Sequence, residues 1–168
     1  SVLPLFNIGR GQTLTNLIVA DTPELQVSLF DFRYVTGRGK QKRVRRQTVA
    51  VVQSTELRLP EFHLRPEKAL DVVGSLLGLQ DIDFDHHPDF SRAFVLKSDS
   101  EEETREFFDQ ELLDFLAARR EISFEATRGM FVCFRRWKRV EPQTAAMREF
   151  LGEGLQLVQA LQERLSRP

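Results

Sequence analysis

The chain has 168 residues, 41% hydrophobic and 29% charged, with a formal charge of −1 and a single cysteine. That length suits one domain, and a compact chain of this size buries roughly 70% of its extended-chain surface. The composition excludes collagen-like, coiled-coil and wholly disordered architectures; one cysteine excludes an internal disulfide or a multi-cysteine zinc site, and no apolar run approaches the ~20 residues that span a bilayer.

In chain order, Asn16 to Ala20 is a short β-prone run closed by Asp21-Thr22-Pro23. Leu25 to Tyr34 alternates, with Leu25, Val27 and Leu29 on one face and Phe30, Phe32 and Tyr34 on the other, which predicts a strand covered on both sides. Thr36-Gly37-Arg38-Gly39 is a turn signal, and Arg43 to Gln53 returns as a second strand, completing a hairpin. Phe62 and Leu64 form a shorter strand whose flanking Pro60 and Pro66 predict an edge position.

Glu67 to Leu77 carries Leu70, Val73, Leu76 and Leu77 at helical spacing. Ala93 to Leu96 predicts a strand. Ser98 with Glu101 then fits a capping box that opens one helix running through Phe108, Leu112, Phe115 and Leu116 to Arg119 and Arg120. Ile122 to Thr127 and Met130 to Lys138 read as a second hairpin around Arg128-Gly129. Pro142 suits the first turn of a last helix with the apolar stripe Met147, Phe150, Leu151, Leu155, Val158, Leu161 and Leu165.

Hairpins with few crossover units predict an α+β fold: a mainly antiparallel sheet built from hairpins, helices packed on one face, in a single two-layer domain over residues 1–168. The chain opens on Ser1 rather than Met, which suggests either processing or a soluble domain cut from a longer protein, and any targeting segment has been removed or never existed.

The near-neutral total conceals segregation. Residues 1–66 hold 10 basic against 5 acidic side chains, residues 67–127 hold 6 against 16, and residues 128–168 hold 8 against 4. Local charge sets the surface potential, so two basic flanks bracket an acidic middle. Arg38, Lys40, Lys42, Arg43, Arg45 and Arg46 place six cations within nine residues at the first hairpin, a candidate contact for an anionic membrane surface or an acidic protein. A solvated, edge-protecting hairpin accounts for the same residues without a ligand. A second basic run, Arg135-Arg136-Trp137-Lys138-Arg139, adds an indole able to stack. Nucleic acid is disfavoured, because the chain has one Trp and one Tyr and its pI of about 6.3 is far from basic.

The segment Asp81-Ile82-Asp83-Phe84-Asp85-His86-His87 is the densest cluster of potential ligands. Alternate aspartates suggest a calcium loop, but His86 stands where glycine makes the turn and Arg92 where a bidentate glutamate is needed. A metal-assisted hydrolase using Asp81, Asp83, Asp85 and His86 is the alternative to a loop pinned by inward Ile82, Phe84 and Phe90. Cys133 lies in an apolar strand where thiols are inert, and His63 reads as structural. Gly9-Arg10-Gly11 and Gly37-Arg38-Gly39 are too short for phosphate-binding loops, and no nucleophile motif is present. No cofactor is implied.

The stretches Leu59-Pro60-Glu61-Phe62-His63-Leu64-Arg65-Pro66-Glu67 and Asp81-Ile82-Asp83-Phe84 through Pro88-Asp89-Phe90-Ser91-Arg92 resemble a family of uncharacterised bacterial proteins. The hairpin Phe30-Asp31-Phe32-Arg33-Tyr34 with Gly37 to Lys40 and Gln47-Thr48-Val49 is similar too. In that family one or two N-terminal transmembrane helices precede a soluble domain of unknown function, which implies a tethered domain at the cytoplasmic face of the membrane and carries no activity or catalytic residue. The expectation is a non-enzymatic interaction or regulatory module whose basic hairpin meets an anionic surface. Oligomerisation through the last helix is a third possibility.

Overall fold

The computed structural model describes residues 3–67 and 79–167. Eight strands form one sheet: β1 (Arg10–Asp21), β2 (Gln26–Thr36), β3 (Arg43–Gln53), β4 (Phe62–Pro66), β5 (Gln80–Asp81), β6 (Phe94–Ser98), β7 (Ser123–Thr127) and β8 (Met130–Phe134). Their spatial order is β1-β2-β3-β8-β7-β4-β6-β5, and every neighbouring pair is antiparallel. Among the described residues four helices accompany them: α1 (Pro88–Ala93), α2 (Glu101–Phe107), α3 (Gln110–Ala117) and α4 (Thr144–Leu165). The fold is α+β, as the hairpin pattern predicts.

Alternation along the strands divides the core. Leu29, Ala50, Val52, Phe62, Leu64, Phe124, Phe131 and Cys133 face the helices and pack with Phe90, Phe108, Leu113, Leu116, Phe150, Leu157 and Leu161. Phe30, Phe32, Tyr34, Val49, Val51, Val132 and Phe134 point to the opposite face, where Leu3, Leu5 and Ile8 of the N-terminal segment cover them. A 3-10 turn at Pro4–Asn7 shapes that segment. It is pinned by Glu125, a carboxylate with no exposed surface that accepts the Leu5 N–H at 3.0 Å and pairs with Arg65 at 3.0 Å. Burial pushes the Glu125 carboxyl upward, against the opposing pull of Arg65 and the Leu5 amide.

Several sequence expectations are corrected. β4 is interior, bonded to β6 and β7; its pairing with β7 ends at Leu64, so the missing N–H of Pro66 falls beyond that ladder. Ser98 ends β6 instead of capping a helix, donating to the Glu61 carbonyl at 2.7 Å, and Ser100 takes the N-cap position of α2. The single long helix is two. Asp109 interrupts it by accepting the Leu112 N–H at 2.9 Å, which caps α3. Pro142 lies just before α4 rather than in its first turn, and β8 stops at Phe134, short of Lys138. Residues 88–93 form α1, with His87 as its N-cap, where a loop is expected. The helix expected over Glu67 to Leu77 falls almost wholly outside the described residues.

Candidate functional site

The β2–β3 hairpin runs on past the end of β8. β8 pairs with β3 only over Val49–Gln53, while β1 follows β2 out to Val35, so the hairpin reaches beyond β8 but is flanked by β1 almost to its turn. Two positive-φ glycines shape its tip. At Gly37 (φ +71°) a Cβ would stand 2.2 Å from the Gln41 carbonyl oxygen, so only glycine fits there.

This tip presents the cationic cluster. Arg38, Lys40, Lys42, Arg43 and Arg46 are exposed, and among the described residues none of the six hairpin cations is in an ion pair. Arg46 stands directly opposite Arg33 in the β2–β3 register. Like charges so placed are unfavourable until an anion compensates them.

Arg45 differs from the other five. It is half-buried, its guanidinium lies 3.4 Å from the Trp137 ring centroid, and its Nε is buried without a hydrogen-bond partner. Arg136 stacks on the same ring at 3.8 Å. Trp137 itself is fixed by its backbone N–H to Gln47 Oε1 at 3.0 Å and its Nε1 to Tyr34 Oη at 3.2 Å, with φ at +59°. Arg45 is therefore a strut of the hairpin base, which its place in a charge run does not reveal.

The second basic run is largely spent on internal pairs. Arg135 bonds Glu153, Lys138 bonds Glu121 at 2.9 Å, and Arg139 bonds Asp31 at 2.5 Å. Arg139 is the first of the partners that hold the Asp31 carboxyl below its usual range despite the upward push of burial, and Asn16 and Thr48 add hydrogen bonds to it. The C-terminal cations Arg164 and Arg167 likewise meet Asp109 and Glu111. Lys138, Arg164 and Arg167 thus pair with the acidic middle, while the hairpin tip does not.

The acidic segment does not converge. Ile82 and Phe84 point inward, while Asp81, Asp83, Asp85 and His86 are exposed. Asp81 pairs with Lys97 in the β5–β6 register, and partial desolvation followed by the neighbouring Asp83 raises its carboxyl. The His86 ring meets Phe84 edge-on at 5.7 Å. His87 is buried with both nitrogens committed: Nδ1 accepts the Phe90 N–H at 3.1 Å, which leaves Nε2 to donate to Asp114 at 2.9 Å. Among the described residues no group of three or more His, Cys, Asp or Glu is placed to hold a metal ion.

Cys133 has no exposed surface, and burial pushes its thiol up to about 12, so no thiolate forms near neutral pH. A Cβ on Gly154 of α4 would lie 2.8 Å from its sulfur, so the helix passes close over the sheet at this cysteine. No described helix is long and apolar enough to cross a membrane. Comparison with family models, curated proteins and solved structures finds no match to this chain, so its functional reading rests on its own residues.

Proposed function

We propose that this chain is a non-enzymatic interaction module, held near a membrane in its parent protein, whose basic hairpin tip seats on an anionic lipid surface. The observation that carries the reading is the set of exposed cations at the tip, unpaired by any described acidic side chain and mounted on a hairpin that runs past the end of β8. Each such residue near an anionic bilayer contributes about 1 kcal/mol. Five exposed cations acting together reach a useful affinity without any pocket, and Arg45 with Trp137 stiffens the base on which they stand.

The test is co-sedimentation with vesicles of phosphatidylcholine alone and with phosphatidylserine added. Wild-type chain pellets with the anionic vesicles only. The triple charge reversal Lys40→Glu, Lys42→Glu, Arg43→Glu stays in the supernatant while its melting temperature stays within about 2 °C, since all three side chains are exposed. Arg45 is left intact because replacing it would unseat Trp137. Equal pelleting of the two proteins, or of the wild type with neutral vesicles, overturns the reading.

A further inference from the structure

We infer that Arg10, Arg33 and Arg46 form a site for a phosphate monoester, on the face of the sheet that carries Leu29 and Ala50. Pairing between β2 and β3 is regular, so that face can be followed to the far end of the hairpin. Taken across β1, β2 and β3, its last rows are Thr15, Asp31 and Thr48, then Thr13, Arg33 and Arg46, then Arg10, Val35 and Val44. Direct opposition puts the Cβ atoms of Arg33 and Arg46 about 5 Å apart, and Arg10 is the diagonal neighbour of Arg33 at about 7–8 Å.

Arg10 reaches this face only because β1 is irregular. From Thr13 to Thr15 the β1–β2 register is unbroken, and continued in that frame it would set Arg10 opposite Thr36, on the other face. One extra residue between Arg10 and Thr13 brings Arg10 opposite Val35 instead. Gly11, inside that insertion, takes the left-handed conformation at φ +61° that glycine supplies in such bulges. Bulges recur where a side chain is re-aimed, and this one turns a third guanidinium toward two that already face each other. Arg33 leans the same way, its Nη1 donating to the Gly11 carbonyl at 3.4 Å.

The three charges are left uncompensated. Among the described residues none of the three is in an ion pair. Asp31, the acid next in line on this face, has both oxygens engaged, Oδ1 by Thr48 and Oδ2 by Asn16 and Arg139. Arg10 and Arg46 are exposed and Arg33 is half-buried, so an anion can reach all three.

Chemistry selects the anion. A phosphate monoester carries about −1.5 to −2 at neutral pH and presents three strong acceptor oxygens. Guanidinium groups meet such oxygens with paired, parallel hydrogen bonds, which suits arginine rather than lysine to the task. A diester or a carboxylate has a lower charge and fewer free oxygens, so neither satisfies three arginines. The mixed lysines and arginines of the tip ask only for negative charge. The triad goes beyond that seating and does not depend on it, since reversing Lys40, Lys42 and Arg43 leaves its three residues in place.

An NMR titration with glycerol 3-phosphate tests this, with dimethyl phosphate as the diester control. The monoester is expected to shift the Nε–H signals of Arg10, Arg33 and Arg46 and to bind about ten-fold more tightly than the diester. Arg33→Gln with Arg46→Gln abolishes the response without lowering the melting temperature, because it removes a repulsion along with the site. Arg10→Gln alone weakens binding about ten-fold.

Vesicles containing phosphatidic acid or phosphatidylserine, matched in surface charge, then assign the source. Preference for phosphatidic acid, lost in the double variant, makes the ester a lipid headgroup; equal pelleting with the two makes it a soluble compound. A wild type that ignores glycerol 3-phosphate overturns the proposal. So does one that binds the diester equally well, or binding that survives in the double variant.

Discussion

His63 sits in β4 directly opposite Glu125 of β7 and Lys97 of β6, buried, with Nδ1 lacking a hydrogen-bond partner. Loss of water around the ring, and then repulsion from Arg65, lower its pKa to about 4, against a weaker upward pull from Asp99. Above the unfolded value of about 6.5 the ring is neutral in both states and has no effect on stability. As pH falls from there, the unfolded chain takes the proton and the folded chain refuses it, so stability drops until the folded pKa is passed. The full cost is about 3 kcal/mol. Urea unfolding of wild type and His63→Gln across this range should show the wild type losing that much more stability by pH 4. Parallel pH profiles would show that His63 is not the buried neutral group described here.

At the scale of elements, the break between α2 and α3 shows how one side chain sets architecture. Continuous helical spacing from Glu101 to Leu116 predicts one helix, yet Asp109 turns its carboxylate onto the Leu112 N–H and starts a new one. The same carboxylate lies 3.1 Å from Arg164 of α4, so the junction also anchors the last helix. Asp109→Ala should cost about 1–2 kcal/mol, the worth of a lost cap plus a partly exposed ion pair, and Asp109→Asn should recover more than half because the amide oxygen still caps. Chemical denaturation of the two variants checks this, and equal losses would mean that the charge matters more than the cap. β4 teaches the complementary lesson. Flanking prolines suggest an edge, but Pro66 comes two residues after the β7 ladder ends, so it deprives that ladder of no donor while still standing opposite Phe94 of β6.

For the whole molecule, the hairpin tip acts through charge alone, and salt tests it. Raising ionic strength from 0.1 M to 1 M shortens the Debye length from about 10 Å to about 3 Å. Vesicle binding through exposed cations should vanish over that interval. Sedimentation with anionic vesicles in the two buffers checks this; binding that persists at 1 M would mean that the exposed cations do not carry it.

Sequence alone determined the antiparallel hairpins, the two-sided burial of β2 and β3, the inert Cys133 and the run of cations at Arg38 to Arg46. Each follows from local periodicity, turn chemistry or composition, and these act over a few residues. Only the tertiary structure decided which cations stay unpaired. Arg135, Lys138 and Arg139 look as available as the hairpin residues along the chain, and they differ because Glu153, Glu121 and Asp31 fold against them. It also decided which strands lie at the edges, placing Phe62 to Pro66 inside and lengthening a short β-prone run into an exposed twelve-residue border. Neighbours across a sheet and charges across a surface are set by contacts distant in sequence, and no local pattern encodes the partner.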